Sequence, residues 1–231
     1  MTAVAAAAGA FIVGGAGLVS PWVVAGLPRP RDLLAGEPGP DYSRLARARG
    51  LGPVAAGVGA AVGALLGWRL GLSGAAPYWH LAAVGLVLAY VDIRVHRLPD
   101  ALVLPSLGVA PLLVGGLSIG GGDLWSLVRA LAGMAAAWAA FGLLHTVQPS
   151  GLGLGDVKLA AWTGLVTAWL SWAALVVGLL AAVGLGGVVA VGVLAGGGSR
   201  RTAVPFGPML LAGAVLAGVA AGPVADWWLD H

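Results

Sequence analysis

Between Lys158 and Arg200 the chain carries no charged side chain. A membrane-spanning helix takes about 20 mostly apolar residues. The run over 156–194 is therefore too long for one crossing. It is predicted to fold as two helices with a break around Leu170 and Ser171. The flanking Trp169 and Trp172 suit a membrane interface. The rest of the sequence repeats the pattern. Only 9% of its 231 residues are charged and 59% are hydrophobic, whereas a soluble domain carries about 25% charged residues. With a mean hydropathy of +0.96, the chain reads as a polytopic membrane protein.

The expected helices cover 2–27, 51–72, 77–92, 99–119, 123–147, two segments within 156–194, and 206–224. Asp123 is expected to cap the fifth after a turn at Gly120, Gly121 and Gly122. A tail follows at 226–231. This is an all-α fold of about eight transmembrane helices, or seven, forming one integral-membrane unit over 1–231. No basic residue precedes Arg29, so the first run lacks the charged start of a signal peptide and reads as a retained helix. The loop over 28–50 holds Arg29, Arg31, Arg44, Arg47 and Arg49, and by the positive-inside rule it is cytoplasmic. The loops over 93–98 and 196–204 carry further cations and fall on the same side. Of the 12 Lys and Arg, all but Arg69 and Arg129 are assigned to that side, which puts both termini outside. Prolines at 28, 30, 38 and 40 argue against one helix through the first loop. The chain has no cysteine, which excludes disulfides, thiolate nucleophiles and cysteine-ligated zinc. A net charge of +3 gives no reason to expect nucleic-acid binding.

Against this background acids stand out, because a carboxylate at a membrane boundary is costly without a partner or a task. In GLGLGDVK, residues 151–158, alternate glycines including Gly153 and Gly155 lead into Asp156. Glycine lets backbone approach closely and turn sharply. Upstream, YVDIRVHRLPD, residues 90–100, places Asp92 at the end of one apolar run and Pro99 and Asp100 at the start of the next. Two acids at helix ends can share a proton, one acting as base on a water and the other as acid. The plainer alternative is that each caps a helix or pairs with a nearby cation. Asp100 reads first as a cap, with a substrate-site role as the alternative. Lys158 reads first as snorkelling to head groups and otherwise as tuning Asp156. Pro205, Phe206, Gly207 and Pro208 cannot continue a regular helix. They either open the last helix or present backbone groups to an extended substrate. His80, His96, His145 and His231 lack metal-ligand spacing, and no metal site is expected. Dinucleotide, phosphate-loop and nucleophile-elbow patterns are not matched.

Taken together these residues resemble the prepilin peptidase family, the type IV leader peptidases of the Gly-x-Gly-Asp aspartic group. The pattern is an Asp, six residues and Pro-Asp, met by Asp92, Pro99 and Asp100. Gly-x-Gly-Asp-x-Lys is met by Gly153, Gly155, Asp156 and Lys158. Pro-Phe-Gly-Pro ahead of the last helix is met at 205–208. The likeness covers about 90–222 well and the first 75 residues poorly. It implies an intramembrane aspartic endopeptidase of the inner membrane, with Asp92 and Asp156 as the catalytic pair. Its substrate would be a prepilin or pseudopilin, cut at the cytoplasmic face just before the substrate's apolar helix. Many family members also N-methylate the new terminus with S-adenosylmethionine, often through a cytoplasmic domain with paired cysteines. The short Arg/Pro loop and lack of cysteine point here to cleavage without methylation and without a cofactor. A scaffold or ion-coupled transporter is the alternative of another class. It would need a polar path or repeat symmetry, and few mid-helix residues are polar.

Overall fold

A computed structural model describes residues 2–30, 39–147, 151–198 and 204–229. Their helices are α1 (Thr2–Ala25), α2 (Tyr42–Ala46), α3 (Leu51–Val95), α4 (Asp100–Gly120), α5 (Leu124–Val147), α6 (Leu154–Leu170), α7 (Trp172–Ala195) and α8 (Gly207–Leu229). Five of them, α1, α3, α4, α5 and α7, are long and apolar enough to cross a membrane. The chain is an all-α, multi-pass membrane protein. Arg31, Gln148, Pro149, Ser150, Arg200, Arg201, Asp230 and His231, all in expected loops or the tail, lie outside the described residues.

Helix α3 has 45 residues, about 67 Å if straight at 1.5 Å per residue, roughly twice the hydrocarbon thickness. It is not straight. Gly71 has φ 72° and ψ −175°, a left-handed φ that favours glycine, and the chain folds back there. Trp79 Nε1 donates to the Gly63 carbonyl at 3.0 Å, and Leu86 lies against Gly59. The two arms, 51–70 and 72–95, correspond to the helices expected over 51–72 and 77–92, with a single residue reversing the chain instead of a loop. Pro77 falls in the second turn of the second arm and leaves the Ser73 carbonyl without its helical N–H partner. With the arms counted separately, eight apolar segments occupy the places expected for eight helices.

Close packing explains many of the 40 glycines. A methyl group added at Gly9, Gly17, Gly63 or Gly67 would run into backbone across the α1–α3 contact. Lipid offers no hydrophobic drive between helices, so small residues that let backbones touch take over. Helix α6 is the hub: α3, α4, α5, α7 and α8 all pack on it. Every residue from Leu159 to Ala168 is buried, as expected for a helix apolar all round.

The break between α6 and α7 falls at Ser171, whose extended backbone lets Oγ accept the Ala174 N–H at 3.0 Å. Trp172 is exposed, but Trp169 turns inward and donates to Ser118 Oγ at 3.0 Å. Asp123 caps α5 by accepting the Ser126 N–H at 3.1 Å. Helix α8 runs to Leu229, past the expected end at 224, because no Pro or Gly follows Pro223 to stop it.

The two cations that break the charge asymmetry have structural employment. Arg129 donates to the carbonyls of Ala168, Trp169 and Leu170, which a helix end leaves without N–H partners. Arg69 donates through Nε and Nη2 to the Val219 carbonyl at 3.0 and 2.8 Å. The helical partner of that carbonyl would be residue 223, a proline with no N–H.

Candidate active site

Asp92 lies in the last turns of the second arm of α3 and is only 4% exposed. Its Oδ2 accepts the Gly207 N–H at 3.0 Å. Gly207 opens α8, and the first N–H groups of a helix have no partner within it. A carboxylate reaching across from α3 supplies one. A methyl group at Gly207 would sit 2.8 Å from Asp92 Oδ2 and 3.2 Å from Leu98 Cδ2, so the approach depends on glycine. The expectation that the Pro-Phe-Gly-Pro segment offers backbone to a substrate is thus modified, since the Gly207 N–H is taken by Asp92. Phe206 packs on Phe141 with ring centroids 5.8 Å apart. Its carbonyl accepts the Met209 and Leu210 N–H groups at 3.0 and 3.1 Å, fixing the start of α8.

Asp156 is the third residue of α6. Its Oδ2 accepts the Gly153 N–H at 3.0 Å, and the Gly153 carbonyl accepts the Asp156 N–H at 3.1 Å. This reciprocal pairing folds the turn into the helix. The other oxygen, Oδ1, is buried and has no hydrogen-bond partner among the described residues. Such an acceptor is expensive to leave unmet. Gly155 lies against Leu98, and a methyl group there would come 2.9 Å from Leu98 Cβ. His145 Nδ1 lies 2.6 Å from the Leu152 carbonyl, tying the end of α5 to the glycine turn. Asp156 lies within electrostatic reach of Asp92.

Two first readings are corrected. Pro99, not Asp100, occupies the N-cap position of α4 and offers no side-chain cap. Asp100 follows in the first turn, where its carboxylate meets Lys158 Nζ at 2.6 Å. Lys158 therefore does not snorkel to head groups; it pairs across to α4. The side chains of Lys158 and Asp100 are 31% and 56% exposed, so the pair contributes only about 0–1 kcal/mol. It does join the starts of α4 and α6.

The motifs at 92–100, 153–158 and 205–208 thus come together at one end of the bundle. Short helix α2 rests there too. Tyr42 packs with Val24, Val87 and Val91, and Tyr90 donates to the Leu45 carbonyl at 2.8 Å. Asp41 caps α2, and bonds from the Ser43 hydroxyl and the Arg44 N–H hold its carboxyl below the usual carboxylate range. Arg44, Arg47, Arg49 and Arg94 accordingly share the end that carries the two acids. Leu98 and His145 were not singled out by sequence reasoning. The available signal for Leu98 was an apolar residue between the basic loop and Pro99.

Fold and site together define a helical, multi-pass membrane protein in which two acids from helix termini converge at one end. Residues 79–191 match the type IV leader peptidase family. Curated relatives named prepilin leader peptidase/N-methyltransferase come from Aeromonas hydrophila, Burkholderia pseudomallei strain 1026b and Escherichia coli K12. The first is 33% identical over 168 residues, covering 68% of this chain and 55% of the relative. The second is 37% identical over 169 residues, covering 66% and 50%. The third is 36% identical over 136 residues, covering 57% of each. The chain spans about half the length of the curated relatives it matches. No solved structure matches significantly.

Proposed function

We propose that the chain is an aspartic endopeptidase that removes the leader from a prepilin or pseudopilin, with Asp92 and Asp156 as its catalytic pair. The observation that carries this reading is the convergence of the two carboxylates. Asp92 is clamped by the Gly207 N–H and Asp156 by the Gly153 N–H. One carboxylate takes a proton from water as the oxygen bonds to the scissile carbonyl carbon. The other, protonated, gives its proton to the leaving amine as the C–N bond breaks. Gly153, Gly155 and Gly207 allow the backbone approaches. Pro99, Pro205, Phe206 and Pro208 fix the chain around the acids, and Asp100 and Lys158 join α4 to α6.

The acids share their end with Arg44, Arg47, Arg49 and Arg94. By the positive-inside rule that end faces the cytoplasm, in the inner membrane. This suits a substrate whose leader precedes its membrane-crossing helix. For these 231 residues the reading is cleavage without methylation, because there is no cysteine and only 28–50 separate the first two apolar segments. The transport reading gains no support from α6, where Thr163 and Thr167 donate to carbonyls of their own helix.

The test is cleavage of candidate prepilins in membranes by Asp92→Asn and Asp156→Asn. Each should lose at least about 10²-fold, the low end for a positioned acid or base. The double variant should lose hardly more, since groups acting as a unit are not additive. Near-normal turnover by either variant, at normal protein amounts, refutes the pair.

A further inference from the structure

Asp92 and Asp156 stand on different helices, and each carboxylate takes its hydrogen bond from a glycine N–H, Gly207 for Asp92 and Gly153 for Asp156. The four-residue connection from α3 to α4 carries Leu98, which meets the surroundings of both acids. Leu98 meets Gly155 on one flank, its Cβ 2.9 Å and its Cδ1 3.4 Å from where a methyl group would be. On the other flank its Cδ2 is 3.2 Å from the equivalent point at Gly207. Gly155 adjoins Asp156, and Gly207 donates to Asp92. The leucine therefore fills the space between the backbone that carries one acid and the backbone that holds the other. Both glycines leave room for it.

The connection is itself constrained. His96, with φ 51° and ψ 42°, ends α3 in the left-handed region and donates its N–H to the Asp92 carbonyl at 2.8 Å. Pro99 fixes the start of α4, and the Asp100–Lys158 pair pulls that start toward α6. Leu98 has little freedom to move aside. It is half-buried and packed on the main core.

We infer that Leu98 is a positioning residue, wedged between Gly155 and Gly207, that sets the separation of Asp92 and Asp156. This rests on the two acids being the catalytic pair. An interior this closely packed transmits a change of one side chain to its neighbours. Shortening Leu98 to alanine keeps the Cβ against Gly155 but removes the atoms that reach Gly207. The two acids then lose their spacer. A misplacement of about 1 Å can cost on the order of 10²-fold in rate.

Because the chain has no cysteine, the separation is readable without background. Cysteines replace Asp92 and Asp156, and bis-thiol-reactive linkers of graded length are applied in membranes. Mass spectrometry then distinguishes one bridging linker from two singly attached ones. With Leu98 present, bridging should be confined to a narrow range of linker lengths. With Leu98→Ala the range should broaden or shift, and with Leu98→Met, close in volume, it should stay narrow. In the native-acid background, Leu98→Ala should lower kcat at least about tenfold with KM changed far less, and Leu98→Met should restore most of the loss. An unchanged linker range in Leu98→Ala overturns the inference, whatever its activity. So does a loss that appears in KM alone, which would make Leu98 a substrate contact. Retained cleavage by the Asp→Asn variants would instead refute the catalytic pair, while the linker range would still report on Leu98.

Discussion

Replacing Gly207 by alanine is the perturbation whose size the structure fixes best. The new methyl group would lie 2.8 Å from Asp92 Oδ2 and 3.4 Å from its Cγ, closer than carbon and oxygen pack. Its other near neighbour, Leu98 Cδ2 at 3.2 Å, blocks the way out on that side. The carboxylate must move, and its bond from the Gly207 N–H at 3.0 Å is lost or lengthened. A hydrogen bond to a charged group contributes about 1.5–3 kcal/mol. At about 1.4 kcal/mol per tenfold in rate, losing it corresponds to a fall of about 10- to 150-fold if Asp92 must hold its place in the transition state. The assay is cleavage of a prepilin in membranes, normalised to the amount of protein. Gly184→Ala is the control, because nothing lies within 4 Å of a methyl group there. In a helix that exchange is neutral or slightly stabilising. If Gly207→Ala cleaves as fast as Gly184→Ala, the clamp on Asp92 is not needed, and the argument that glycine is required at 207 fails.

Other outcomes follow from the same geometry. Asp100→Asn or Lys158→Met should reduce cleavage by no more than about sixfold, as an exposed pair contributes at most about 1 kcal/mol, and exchanging the two charges should restore most of it. Equal loss to the Asp92 variants would place Asp100 in the chemistry. Gly63→Ala should lower thermal stability in detergent by about 1–3 kcal/mol, because its methyl group would strike the Gly9 carbonyl; an unchanged melting temperature would refute the close α1–α3 contact. Ser43→Cys, beside the arginines of α2, should be labelled by a membrane-impermeant reagent only from the cytoplasmic side, and labelling from outside would reverse the orientation.

The sequence by itself determined the class. Long uncharged runs leave the backbone no option in lipid except to bond within itself as helices. Their lengths placed the helices, including the break at Ser171, and the scarcity of acids drew the eye to Asp92 and Asp156. The three motifs were legible because glycine, proline and acid together are conspicuous in an apolar chain. Only the tertiary structure decided the partners. Nothing in the periodicity of α3 says that it reverses at Gly71, since the glycine resembles its many neighbours until its φ is seen. Asp100 reads as a cap until Lys158, 58 residues later, is found against it. The Gly207 N–H reads as free until Asp92 is found to accept it. Leu98 is one apolar residue among many, and its place between two glycines exists only once α3, α6 and α8 have packed. Local sequence sets what a residue can do; contacts between residues far apart in the chain exist only in the folded bundle, and they select what it does.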